Sequence, residues 1–185
     1  MITSVNCDKL AREILDIVTS ALPGVTVEIA ESARWDRMCV TFRWAGFSGM
    51  LPEERFRHLV QLIPEQVRDR DLAGFVWLEL EPDQTVGAYL DLPRSDDIAG
   101  REEGIYSSLK EAGFFKALGK KLGGSPQDAC GGDFAASAEV LGSRRFSKTK
   151  TREAKLLFIK HGAYCDCQIL LSVRPALEKD FPDAG

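Results

Sequence analysis

Arg37-Met38-Cys39-Val40-Thr41-Phe42-Arg43-Trp44 is the stretch on which the fold turns. Met38, Val40, Phe42 and Trp44 alternate with Cys39, Thr41 and Arg43, and a period of two places the apolar set on one face of a half-buried β-strand. Just upstream, Val25–Ile29 alternates in the same way, and the polar run Glu31–Asp36 between the two reads as a turn. Further upstream, Leu10, Ile14, Ile17, Val18 and Ala21 recur at helical spacing, so a helix is expected from Cys7 to Ala21, ended by Pro23-Gly24. Downstream, Gly46–Pro52 reads as a loop, with Pro52 suited to the first turn of a helix. Phe56, Leu59, Val60 and Ile63 give that helix its apolar stripe, Pro64 breaks it, and a short further helix is expected to reach Arg70. Gly74–Leu80 reads as a third strand.

Residues 1–92 are therefore expected to form an α-β-β-α-α-β sandwich, followed over 93–185 by a small, mostly helical unit, which places the chain in the α+β class. The connector Pro82–Gly100 is acidic, and Val86–Leu90 within it is read as a short strand. Helices are expected at Ile105–Leu122, Phe134–Leu141 and Arg152–His161, with a break at Gly123-Gly-Ser-Pro126 and Gly162 placed just past a helix end.

A chain of 185 residues that is 44% hydrophobic and 28% charged has the composition of a globular protein able to bury a core. No apolar run reaches the length of a membrane span, and Met1–Asp8 lacks the basic and apolar regions of an export signal. With five cysteines, an odd number that argues against a closed disulfide framework, the expectation is a cytoplasmic protein with reduced thiols and no membrane partner. The net charge of −4 is unevenly spread. Residues 69–103 hold ten acids against three bases, and residues 141–160 hold seven bases against one acid, Glu153. The two stretches either attract each other or face partners: a basic protein for the first, a nucleic acid for the second. Gly142–Lys155 mixes bases, hydroxyls and Phe146 as phosphate contacts require. A solvated face is the plainer reading of it, because the whole chain is acidic.

Chemistry concentrates in His161-Gly-Ala-Tyr-Cys165-Asp-Cys167. Tyr164-Cys-Asp-Cys-Gln-Ile-Leu-Leu-Ser-Val173 resembles the ending of a family of small bacterial proteins of unknown function, whose hallmark reads approximately GGYCDCEILxNV. Ala163 stands at the second Gly of that hallmark, Gln168 at its Glu and Ser172 at its Asn. The family also carries an upstream Cys-Asp-His. Here Cys130 lies 35 residues before Cys165 and is followed by Gly131-Gly132. The resemblance covers about 45 residues and implies no activity.

Thiolates and imidazole are ligands of borderline and soft metals, and Cys130, His161, Cys165 and Cys167 together would suit a closed tetrahedral zinc site. On a strand, Cys165 and Cys167 would point to one side and could share an ion; on a helix they would diverge by about 200°. The alternative is that these cysteines are small core residues. A Cys-x-Cys disulfide would close a strained ring.

In the first half, Phe47-Ser-Gly-Met-Leu-Pro-Glu-Glu-Arg55-Phe-Arg57-His-Leu-Val60, with the order of elements around it, resembles BolA-like proteins. Phe47, Gly49, Arg55, Arg57 and Val60 lie on that family's pattern, which implies an α-β-β-α-β layout. The family's metal-ligating His falls at Phe56, so no shared iron–sulfur site with a glutaredoxin is implied. No phosphate loop, dinucleotide fingerprint or nucleophile elbow is present, and two histidines supply few general bases. The sequence thus points to a non-enzymatic binding or regulatory protein, with zinc as candidate cofactor and another protein as candidate partner. An immunity or adaptor module using the acidic stretch, a nucleic-acid binder using residues 142–155, and an enzyme with a Cys nucleophile and His58 or His161 as base are the alternatives.

Overall fold

The structure is a computed structural model and describes residues 4–183. Met1–Thr3, part of the stretch read as lacking an export signal, lie outside the described residues. The chain divides into two compact units, Met1–Pro93 and Arg94–Gly185. The class is α+β, with one small sheet and a mostly helical C-terminal unit.

In the first unit, helix α1 (Ser4–Thr19) precedes strands β1 (Thr26–Ser32) and β2 (Arg37–Arg43). Helix α2 (Pro52–Leu62) and strand β3 (Val76–Leu80) follow. The sheet order is β1-β2-β3, with β1 antiparallel to β2 and β3 parallel to it. The tight turn after Ser32 is closed by Asp36 in the left-handed region at φ 50°. The parallel pairing requires a crossover, and α2 supplies it. The apolar face of β2 is realised at Val40 and Phe42, which are fully buried and pack with Ile14 and Val18 of α1 and Leu59 of α2, while Cys39 on the opposite face is buried as well. Each such side chain, moved fully out of water, contributes about 1.5–3 kcal/mol. A smaller cluster lies around Leu78, Leu80 and Tyr89.

Two elements of this unit differ from expectation. Val86–Leu90 is not a strand but a short helix, α3, because Thr85 caps it: its Oγ1 accepts the Ala88 N–H at 3.2 Å. The short helix expected after Pro64 is present but widens over Val67–Asp71 into i to i+5 bonding, in which the Leu72 N–H donates to Val67 O five residues back.

The second unit contains α4 (Glu102–Glu111), α5 (Phe114–Leu122), α6 (Ala135–Ser143) and α7 (Lys148–Lys160), then α8 (Asp166–Gln168) and α9 (Arg174–Asp180). A turn with i to i+5 bonding, Ile169–Val173, joins α8 to α9. The single helix expected over Ile105–Leu122 is two, because Gly113 takes φ 63° and turns the chain between α4 and α5. Helix α7 starts at Lys148 and not at Arg152, since the Ser147 hydroxyl accepts the Lys150 N–H at 3.3 Å. Its residues Leu156, Leu157, Phe158 and Ile159 are all buried, and Phe158 stacks on Phe114 at 5.5 Å between centroids. No helix among the described residues is long and apolar enough to cross a membrane.

Candidate metal centre

The path to the cysteines starts where α7 ends. His161 is its C-cap, and Gly162 follows at φ 84°. The Gly162 N–H donates to Ile159 O at 2.8 Å and the Ala163 N–H to Phe158 O at 2.9 Å, the paired bonds of a Schellman ending. Ala163 is buried, and the chain then turns into extended geometry at Cys165, with φ −156° and ψ 163°. Cys165 is the N-cap of α8, and Cys167 lies inside that helix. The motif is therefore neither a strand nor two helical positions. One extended residue followed by a helical turn brings Cys165 Sγ to 3.2 Å from Cys167 Sγ.

Cys130 reaches the same place from the loop between α5 and α6. The sulfurs of Cys130, Cys165 and Cys167 all lie within 4.8 Å of one another. Three thiolates around zinc at Zn–S bonds near 2.3 Å would sit about 3.8 Å apart, so the spacing needs only small side-chain adjustment to hold such an ion. All three residues are partly exposed, leaving a route for an ion to enter. His161 does not join them: its Nδ1 stands 4.0 Å from Asp180 Oδ2, at the other end of the segment. The Schellman ending explains this, because it anchors His161 to α7 while the chain carries Cys165 away from it.

Asp166, between the two cysteines, holds the arrangement together. It is buried, and its carboxylate accepts the Ala136 N–H at 2.8 Å and the Ser137 N–H at 2.9 Å. These are two of the backbone donors that the start of α6 leaves without helical partners. A third, the Ala135 N–H, goes to Asp133 Oδ1 at 3.0 Å. In return the Asp166 N–H donates to Asp133 O at 2.8 Å. The loop carrying Cys130 and the turn carrying Cys165 and Cys167 are thus bolted through one carboxylate at the positive end of α6. Gln168 reaches back to accept the Tyr164 N–H at 2.8 Å, which fixes the approach to Cys165.

The three thiols also shape one another's acidity. Burial raises the Cys130 thiol, but the opposing hydrogen bonds prevail: the backbone N–H groups of Cys167 and Gly132, and the thiols of Cys167 and Cys165, favour its thiolate and bring it below the ordinary cysteine value. Cys167 is pushed up to about 12, first by burial and then by its hydrogen bonds and charge repulsion with Cys165 and Cys130. One cluster therefore holds a thiol that ionises more readily than usual beside one that resists ionising, and a cation would favour the thiolate form of both.

The remaining cysteines behave as core: Cys7 and Cys39 are buried in the first unit. His58, considered as a base, stacks on Trp44 at 5.6 Å with rings nearly parallel, and burial lowers its pKa. The acidic stretch 69–103 is not one solvated face. Glu79 is buried, Glu81 pairs with Arg55 at 3.1 Å, and Glu102 pairs with Lys160 of the basic stretch at 2.6 Å. In the basic stretch, Arg144, Arg145, Lys148, Lys150 and Arg152 are exposed.

Sequence reasoning missed the buried network around Arg55. Its guanidinium donates to Glu79 O at 2.7 Å, Gln84 Oε1 at 2.7 Å, Glu81 Oε1 at 3.1 Å and Met50 O at 3.1 Å. The Tyr89 hydroxyl donates to the buried Glu79 carboxylate. No family model matches this chain, and no curated protein or solved structure matches it either.

Proposed function

We propose that this protein is a metal-binding module of regulatory or adaptor type, in which Cys130, Cys165 and Cys167 hold a borderline or soft divalent ion, zinc first among them. The observation that carries this reading is the convergence of three sulfurs from two distant stretches of chain within 4.8 Å. Buried cysteines placed only to fill space have no reason to meet at a partly exposed point on a helix start. Asp166 supports the same reading, since it spends its carboxylate on fixing the two cysteine-bearing segments and not on the cluster. Three thiolates fill three of the four positions zinc prefers and leave the fourth for water or an incoming ligand.

Elemental analysis of protein purified without chelator is expected to give about one equivalent of zinc, and titration of the stripped protein with cobalt should produce thiolate charge-transfer bands. Cys130→Ser, Cys165→Ser and Cys167→Ser should each lower the stoichiometry, while His161→Ala should not. Fully folded wild-type protein that binds neither ion would end the proposal.

A further inference from the structure

The second unit contains a cavity of about 340 Å³, built from α4 and the start of α7. Its walls are Ile105 and Phe146 on the apolar side, with Lys150 and the paired Arg101 and Glu153 on the polar side. The volume falls in the range of small-molecule sites, and an apolar wall with a few convergent polar groups is their usual make-up.

Two observations point to an occupant. The first is Gly104, the third residue of α4, which lines the cavity. Glycine in a helix is destabilising relative to alanine, and a left-handed backbone or a close approach is the usual structural reason for one. Neither applies here: Gly104 does not have a positive φ, and a Cβ built on it would meet nothing within 4 Å. What the missing side chain does provide is open floor. The second is Lys150, which is exposed and whose ammonium has no partner among the described residues. Arg101 is already committed, to Glu153 and to Asp97 O at 2.9 Å. The uncompensated charge of the cavity is therefore a single cation beside an apolar wall.

We propose that this cavity binds a small organic anion: a flat apolar body laid over Gly104 against Ile105 and Phe146, with its phosphate or carboxylate on Lys150. The site is independent of the metal reading, as none of its residues belongs to the cysteine cluster.

The test is an amide chemical-shift titration of the full chain with phenyl phosphate and with benzoate at constant ionic strength, using inorganic phosphate and phenol as controls. At least one of the two aromatic anions is expected to saturate, with shifts confined to residues 100–108 and 146–153, and to bind at least about tenfold more tightly than either control. Lys150→Ala, a change at an exposed residue, should weaken binding about tenfold. Gly104→Leu should abolish it while leaving the unfolding midpoint unchanged or raised, because the new side chain enters open space. Equal binding of inorganic phosphate would reduce the site to a surface charge. Undiminished binding in Gly104→Leu, or no saturable shifts with either anion, would overturn the proposal.

Discussion

The Arg55 network of the first unit and the cysteine cluster of the second are both concentrations of polar chemistry, and they are finished differently. In the first, Arg55 and Glu79 are each only 1% exposed, yet every donor of the guanidinium that is resolved ends on an oxygen: Met50, Glu79, Gln84 and Glu81. Aromatic rings complete the enclosure, with Phe47 5.7 Å and Tyr89 6.0 Å from the guanidinium carbon. Such a network is largely satisfied from within the fold, with Glu81 as its half-exposed edge. In the second, three sulfurs meet at a partly exposed point and have chiefly one another and two backbone N–H groups as partners. A satisfied polar network holds a fold together; donor atoms brought together with coordination to spare make a site. The buried Arg55 network is thus a structural element of this protein, and the cysteines are its candidate metal chemistry.

The difference is broken most strongly at Arg55. Arg55→Ala strips the buried Glu79 carbonyl, the Met50 carbonyl and the Gln84 side-chain oxygen of a donor, at about 1–3 kcal/mol for each buried group left unpaired. All three tryptophans, Trp35, Trp44 and Trp77, lie in the first unit, so their fluorescence follows its unfolding alone. The denaturation midpoint read by fluorescence should fall sharply, while metal stoichiometry stays at its wild-type value in protein that remains folded. A loss below about 1 kcal/mol would mean that water replaces the guanidinium and that the network does not depend on partners from within the fold.

The counterpart in the second unit is Asp166→Ala. It strips two helix-start donors of their acceptor, at about 1–3 kcal/mol for each buried group left unpaired. It also unfastens the Cys130 loop from the Cys165–Cys167 turn. Far-UV circular dichroism should show the loss of stability, and metal affinity should drop about 10–100-fold, as for residues that orient metal ligands. Stability loss with unchanged metal affinity would show that the cysteines find one another without the bolt.

These two residues also mark where the sequence stopped being readable. The strand around Val40 and Phe42 was legible because alternation is a local pattern with a local cause. The cysteines were legible because their chemistry is specific to residue type. Asp166 was not, since its partners at Ala136 and Ser137 lie about thirty residues upstream and capping leaves no mark at that distance. Arg55 stood out only through a family pattern, and a lone arginine on a helix otherwise reads as surface. Val86–Leu90 was misread because five mostly apolar residues carry no decisive period, and the cap at Thr85 settled the matter. His161 was drawn into the ligand set by proximity in sequence, whereas the ending of α7 holds it apart.

Cys130→Ser separates site from scaffold more finely. A serine at this partly exposed position preserves shape, so metal-free stability should change by no more than about 0.5 kcal/mol. Metal binding should nevertheless be lost or weakened by orders of magnitude, and the protection that zinc confers against unfolding should vanish with it. The measurement is a pair of melting curves, with and without zinc, for wild type and variant. If the variant retains the zinc-dependent rise, Cys130 is a bystander and the cluster is only Cys165 and Cys167.

The smallest expected effect lies in the first unit, at His58. Burial against Trp44 lowers its pKa below 6.5, so the folded state disfavours the proton that the unfolded chain accepts. The unfolded state then binds more protons in the interval just below pH 6.5, and stability must fall as pH falls through it. The slope fades over about one unit above pH 6.5, beyond which both states are neutral at this residue. Tryptophan-detected unfolding between pH 7.5 and 5.5 should show this decline in wild type. His58→Phe, which keeps an aromatic ring on Trp44 and removes the titration, should flatten that part of the profile and leave the carboxylate-driven loss at lower pH in place. An unchanged slope in the variant would assign the decline to other groups of the unit and would make His58 a stacking partner whose charge the fold does not resist.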